Sequence, residues 1–128
     1  MKLAIAGYRG FTDYHLFKHH LVSFIEEHGE PAEIISGGAK GADSMAERYA
    51  KEENIPIVVL KPDWKTRGRQ AGLLRNTDIV ARCSHLLAFP PRRFVPGEPG
   101  TNTSVGRGTQ DTIKKAKRSG KIIKQVWV

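Results

Sequence analysis

Cysteine is nearly absent: Cys83 is the only one in 128 residues. One thiol makes no internal disulfide and supplies no metal cluster, which fits a reducing compartment and leaves Cys83 as a packing residue. Long apolar runs are missing as well. No stretch approaches the roughly 20 apolar residues that a membrane span needs. The opening "MKLAIAGYRG" has a single lysine and then four apolar residues before Gly7, short of the roughly 7–15 that form a signal-peptide core. It reads as a first strand, and the expectation is one cytoplasmic domain without membrane contact. Metal ligands do not gather either. His15 and His19 stand four apart, but no glutamate or cysteine accompanies them and His20 breaks the pattern, so no metal is expected. No serine or cysteine has a nucleophile context, and no cofactor is called for. Acidic residues are in deficit, with 13 Asp and Glu against 21 Lys and Arg and a formal charge of +8. That excess favours an anionic partner, a nucleotide or a nucleic acid, over a neutral one, and serves solubility in any case.

What is present is a regular alternation. "KLAIA" is a short apolar run ended by Gly7, and the segment 13–28 repeats Phe17, Leu21, Phe24 and Ile25 at helical spacing, with Thr12 or Asp13 as cap and Gly29 as stop. "AEIIS" then gives a strand, "DSMAERYAKEEN" a helix with Met45 and Tyr49 inward, and "IPIVVL" a β-branched strand. A loop leads to the helix "GLLRNTDIVARC", the strand "HLLAF", the helix "TQDTIKKAKRSG" and a last strand "KIIKQVWV". Strands that are continuous apolar runs, with helices between them, predict an α/β fold: a Rossmann-like three-layer sandwich of about five mostly parallel strands with right-handed crossovers. The exception is 90–108, dense in proline and glycine, which reads as a loop or lid within a single domain spanning 1–128.

In such a sheet, ligands bind beyond the carboxyl ends of the strands. Three glycine-rich corners fall there: "GYRG", "SGGAKGAD" and "GRGTQD". Glycine lets a phosphate or sugar approach backbone N–H groups, and the helix N-terminus that follows favours an anion. Gly7, Tyr8 and Arg9 at the first corner, Ser36, Gly37, Gly38, Ala39, Gly41 and Asp43 at the second, and Gly106, Gly108 and Thr109 at the third are the expected ligand contacts. Asp43 is placed to take ribose hydroxyls. The cluster "DWKTRGRQAGLLRNTD" adds Trp64 for base stacking and Arg75 and Asn76, which interrupt an apolar helix face. Arg67 and Arg69 read as solvated. Lys114, Lys117, Arg118 and Lys121 form a basic stripe, either a solvated face or a nucleic-acid surface.

The order "IAGYRG…IISGGAKGADSMAERYA…DWKTRGRQAGLLRNTDIVARCSHLLAF…GRGTQDTIKKA" resembles the SLOG superfamily, within it the YspA-like branch related to YpsA, over nearly the whole chain. More distant relatives are the DprA/Smf proteins and the Lonely-Guy phosphoribohydrolases. The resemblance implies a nucleotide or nucleotide-derived ligand. Lonely-Guy enzymes cleave the N-glycosidic bond of a nucleoside 5′-monophosphate with an arginine and the glutamate that ends PGGxGTxxE. Laid on that motif, this chain keeps Gly106, Gly108 and Thr109, departs at Ser104 and Val105, and carries Thr112 where the glutamate belongs. Arg75 matches the arginine of their RK helix motif, with Asn76 for lysine.

Loss of the glutamate removes the carboxylate that would activate water or stabilise an oxocarbenium-like state. Asp111 is one position earlier, a turn of about 100° around the helix, and Asp43 comes from another corner. The expectation is therefore a binder of a phosphorylated, ribose-containing ligand, an ADP-ribose-type signal included. An N-glycosidase with Arg75, Asp111 or Asp43 in the catalytic role is the alternative, and single-stranded DNA binding a weaker one. The base, the number of phosphates and the oligomeric state, a homo-oligomer included, are not set by the sequence.

Overall fold

The five apolar runs form one five-stranded parallel sheet in the computed structural model, which describes residues 1–92 and 106–128. The order along the chain is β1 (Lys2–Gly7), α1 (Tyr14–His28), β2 (Glu33–Ser36), α2 (Ala42–Glu52) and β3 (Ile57–Val59). Then come a short helix α3 (Trp64–Arg67), a 3-10 turn (Gly68–Gln70), α4 (Ala71–Arg82), β4 (His85–Phe89), α5 (Arg107–Arg118) and β5 (Ile122–Gln125). The expected lid at 90–108 lies outside the described residues except at its two ends.

Side chains alternate across the sheet, so β1 supplies both cores. Leu3 and Ile5 join Phe17, Leu21, Phe24, Met45, Tyr49 and Phe89 under α1 and α2. Ala4 faces the other way, with Ile35, Ile79, Val80, Leu86, Ala88 and Ile113 under α4 and α5. This is the covered parallel sheet that the apolar runs imply, and it is the α/β Rossmann-like fold. The reading of continuous burial holds for β1, β2 and β4 but fades at the edges, where β3 and β5 are half-exposed. Caps set the helix starts: Asp13 Oδ1 accepts a hydrogen bond from the Leu16 N–H at 3.1 Å, and α1 stops at Gly29 with φ 96°.

One expectation is corrected in the 61–71 loop, which contains α3 and the 3-10 turn. Asp63 caps this helical turn by accepting from the Thr66 N–H at 3.2 Å. Four residues are too few to show a helical period in sequence.

The strand order is β3-β2-β1-β4-β5. The chain winds outward from β1 to β3, then returns to place β4 on the other side of β1. The direction of winding therefore reverses between β1 and β4, and an open crevice is expected at their carboxyl ends.

Candidate functional site

A cavity of about 560 Å³ occupies that crevice. Its floor is Ile5, Ala6 and Ile79; its walls are the three glycine-rich corners and the first turns of α4 and α5. Of the residues expected at a ligand, Gly7, Tyr8, Arg9, Gly37, Ala39, Asp43, Arg75, Asn76, Gly106, Gly108 and Thr109 line it. Gly10, Arg107 and Thr112 line it too, without having been expected as contacts. For Arg107 the signal was present, since it stands between two glycines already singled out.

The other expected contacts lie elsewhere. Ser36 is fully buried beneath the second corner, where its hydroxyl donates to Glu47 Oε2 at 3.0 Å and accepts from the Gly38 N–H at 3.0 Å. Gly38 faces Val59 and the Lys61 stem. Gly41 packs on the first corner: a Cβ there would stand 2.7–3.0 Å from the backbone oxygens of Tyr8, Arg9 and Phe11, and its φ is 82°. Trp64 is outside the cavity and 56% exposed, with its ring edge toward Gly72. It sits there because Asp63 turns the chain into α3 on the outer side of α4.

The centre of the site is a trio at Gly37. Arg75 donates from Nη1 to the Gly37 carbonyl and from Nε to Asn76 Oδ1 at 2.9 Å. Asp43 Oδ2 accepts from the Ala39 N–H at 3.1 Å. A Cβ on Gly37 would fall 2.5 Å from Arg75 Nη1 and 3.0 Å from Asp43 Oδ2. Only glycine lets the guanidinium and the carboxylate face each other across this corner. Burial lowers the pKa of Arg75, with the Asp43 charge acting in the opposite sense.

Asn76 has a role that its position alone did not reveal. It is 4% exposed, and its Nδ2 donates to the Gly108 carbonyl at 3.3 Å and to Asp111 Oδ2 at 3.0 Å. It thereby fixes the start of α5 against α4 while its Oδ1 holds Arg75. The same bonds occupy Asp111, which also pairs with Lys115 at 2.9 Å and does not line the cavity. Thr112 Oγ1 donates to the Gly108 carbonyl at 3.0 Å, so the residue in the glutamate's place is turned back on its own helix.

Asp43 is then the one carboxylate among the described residues that lines the cavity. It is 7% exposed. Burial pushes its carboxyl up from 3.8 to about 6, against the Ala39 N–H and the Arg75 charge, which pull it down. A raised carboxyl stabilises the fold while protonated: the contribution is complete below pH 3.8 and is lost as pH rises through about 6. Above that pH the ionised, buried Asp43 costs the native state on the order of 3 kcal/mol. Asp43→Asn removes the titration. Its stability relative to the parent is expected to improve between pH 4 and pH 7.5 in urea melts; an unchanged difference across that range would mean that Asp43 is ionised throughout.

The two helix N-termini differ in charge. That of α2 carries Asp43 in its first turn, so it already has its anion. That of α5 has no acidic residue in its first turn and, among the described residues, no side-chain cap, and Arg9, Arg75 and Arg107 line the cavity it borders. An anionic group is best held at α5, and a hydroxyl-bearing group beside Asp43.

Comparison with known proteins agrees with this architecture. The family model described as "YAcAr: YspA, cpYpsA-related SLOG family" matches residues 1–66. "Gene 61 protein" of Mycobacterium phage D29 is 33% identical over 93 residues, which cover 68% of this chain and 65% of the phage protein. The chain thus spans just under two thirds of that relative. Among solved structures, TM1055, a structural-genomics target, superposes with a TM-score of 0.63 at 15% identity, over 95% of this chain and 71% of that one. DNA processing protein A (DprA) from Streptococcus pneumoniae gives a TM-score of 0.66 at 16% identity, over 97% of this chain and about half (49%) of DprA. At these identities the two structures establish the shared fold.

Proposed function

We propose, from the premise that this chain belongs to the YspA, cpYpsA-related SLOG family, that its cavity binds a phosphorylated, ribose-containing nucleotide or nucleotide-derived ligand. A molecule of the ADP-ribose type is within this class. The observation that carries the reading is the N-terminus of α5, without a side-chain cap among the described residues, opening into a cavity that three arginines line. Backbone N–H groups and the positive helix end hold the phosphate there, with Arg9, Arg75 and Arg107 offsetting its charge. The ribose then lies toward Asp43, whose carboxylate accepts from hydroxyl groups, and Tyr8 at the first corner is the aromatic residue nearest the base.

Phosphorylated nucleotides are expected to stabilise the fold, and the matching free nucleosides to do so far less. At about 100 times the dissociation constant, a bound nucleotide adds roughly 2.7 kcal/mol, readable as a rise in melting temperature. Equal shifts from nucleoside and nucleotide would remove the phosphate from the proposal.

One observation favours a second reading, hydrolysis of an N-glycosidic bond. A buried carboxyl brought to about 6 in a ligand cavity, as Asp43 is, is suited to exchange a proton near neutral pH. Against it stand Asp111, held by Asn76 and Lys115, and Thr112, bonded to Gly108. Neither offers a carboxylate to the cavity, so binding is the stronger reading. If hydrolysis does occur, Asp43→Asn is expected to stop release of base while most of the affinity remains.

A further inference from the structure

Charge is divided between the two helix layers. On one face α1 and α2 carry Glu26, Glu27, Asp43, Glu47 and Glu52 against Lys18, Arg48 and Lys51. On the other, α3, the 3-10 turn and α4 carry Lys65, Arg67, Arg69, Arg75 and Arg82 against Asp78 alone, and α5 carries Arg107, Lys114, Lys115, Lys117 and Arg118 against Asp111 alone. Those two aspartates are engaged, Asp78 by Arg67 at 3.0 Å and Asp111 by Lys115 at 2.9 Å. Arg82 is paired with Glu33 at 2.7 Å, and Arg75 and Arg107 line the cavity, but the remaining lysines and arginines of the α3–α5 layer still outnumber its acids, so the chain's positive excess lies mostly on this face. Lys65, Arg69, Lys114, Lys117 and Arg118 are all exposed there.

The same layer exposes apolar side chains that the core does not use. Trp64 is 56% exposed, and Leu73, at 51%, and Leu74 follow on α4. They share this layer with the cations, and Trp64 is followed directly by Lys65 in α3. The Trp64 ring edge lies 3.5 Å from the Cβ position of Gly72, and the carbonyl of the next residue, Leu73, accepts from Lys115 Nζ at 2.6 Å. An exposed aromatic side chain thus stands on the layer built by α3, α4 and α5, outside the cavity.

We propose that the α3–α5 layer is a docking surface for single-stranded nucleic acid, with Trp64 stacking on a base while Lys65, Lys114, Lys117 and Arg118 track the phosphates. A single strand offers both chemistries that this surface presents, a regular line of negative charge and unpaired aromatic faces. A duplex hides its bases, and an acidic protein surface lacks the stacking partners. This surface is separate from the cavity and does not depend on its ligand.

The test is fluorescence anisotropy with a labelled oligo(dT) of about 16 nucleotides, with the duplex of equal length and anionic phosphatidylserine vesicles as competitors. Trp127→Phe leaves Trp64 as the sole tryptophan, and oligo(dT) is expected to quench it. Trp64→Ala is expected to weaken binding about tenfold, and Lys114→Glu with Lys117→Glu to weaken it at least as much and to flatten the salt dependence. A melting-temperature rise with mononucleotide that survives in these variants keeps this surface distinct from the cavity. Four results would overturn the proposal: no binding of oligo(dT), equal binding of the duplex, displacement of oligo(dT) by vesicles but not by duplex, or unchanged affinity in both variants.

Discussion

Arg75→Ala is expected to lower affinity for a phosphorylated nucleotide by about 2–4 kcal/mol, the loss associated with a charge-assisted, two-pronged contact. The site makes this residue central for two reasons. Its guanidinium is partly buried and held in place by the Gly37 carbonyl and Asn76 Oδ1, so little ordering is needed when an anion arrives. It is also the positive partner facing Asp43. Without it the Asp43 carboxyl loses an attraction that holds its pKa down, and the arginines lining the cavity fall from three to two. Arg75→Lys keeps a charge but not the planar fork, and is expected to recover only part of the affinity. Calorimetric titration of the three proteins separates these outcomes. Normal affinity in Arg75→Ala would remove Arg75 from the binding site.

The second large effect contrasts two glycines four residues apart. Gly37→Ala places its Cβ against the end of the Arg75 side chain, 2.5 Å from Nη1, and a flexible side chain can move aside. The fold is expected to survive and binding to fall nearly as far as in Arg75→Ala, because the guanidinium is displaced from where the ligand needs it. Gly41→Ala meets three backbone oxygens at 2.7–3.0 Å, at φ 82° and ψ −129°, a region open essentially to glycine alone. Neither the oxygens nor the dihedral can yield cheaply, so a loss of more than about 3 kcal/mol of stability is expected. Urea melts and nucleotide titration on both variants read the contrast. A stable Gly41→Ala would show that the first corner gives way; full binding by Gly37→Ala would show that the arginine need not hold its place.

Much of this was legible in the sequence because the relevant signals are local. Each apolar run between glycine punctuation made a strand, and Phe17, Leu21, Phe24 and Ile25 declared the buried face of α1 by spacing alone. The three corners were visible as glycine clusters, and the parallel topology brings them to one edge. Which glycine of a cluster faces the cavity was not visible. Gly37 and Gly38 are adjacent, yet one borders Arg75 and the other Lys61, a difference set by backbone dihedrals. Trp64 reads from the sequence as a base platform for the cavity's ligand because it sits among arginines, but a one-turn helix leaves it outside that cavity and exposed. Nor does sequence reveal that Asn76 and Asp111 bond across 35 positions. That contact, and the occupied state of Asp111 that follows from it, exist only once α4 and α5 pack side by side.

The central claim is that the cavity holds an intact phosphorylated nucleotide. Incubating the protein with a panel of nucleoside mono- and diphosphates, dinucleotide diphosphates and free nucleosides, followed by mass spectrometry of both the protein-bound and the free fractions, tests it most directly. The prediction is a phosphorylated, ribose-containing compound retained intact by the parent protein, lost from Arg75→Ala, with no free base released. Retention of nothing, retention of nucleosides as strongly as nucleotides, or steady release of base would contradict it.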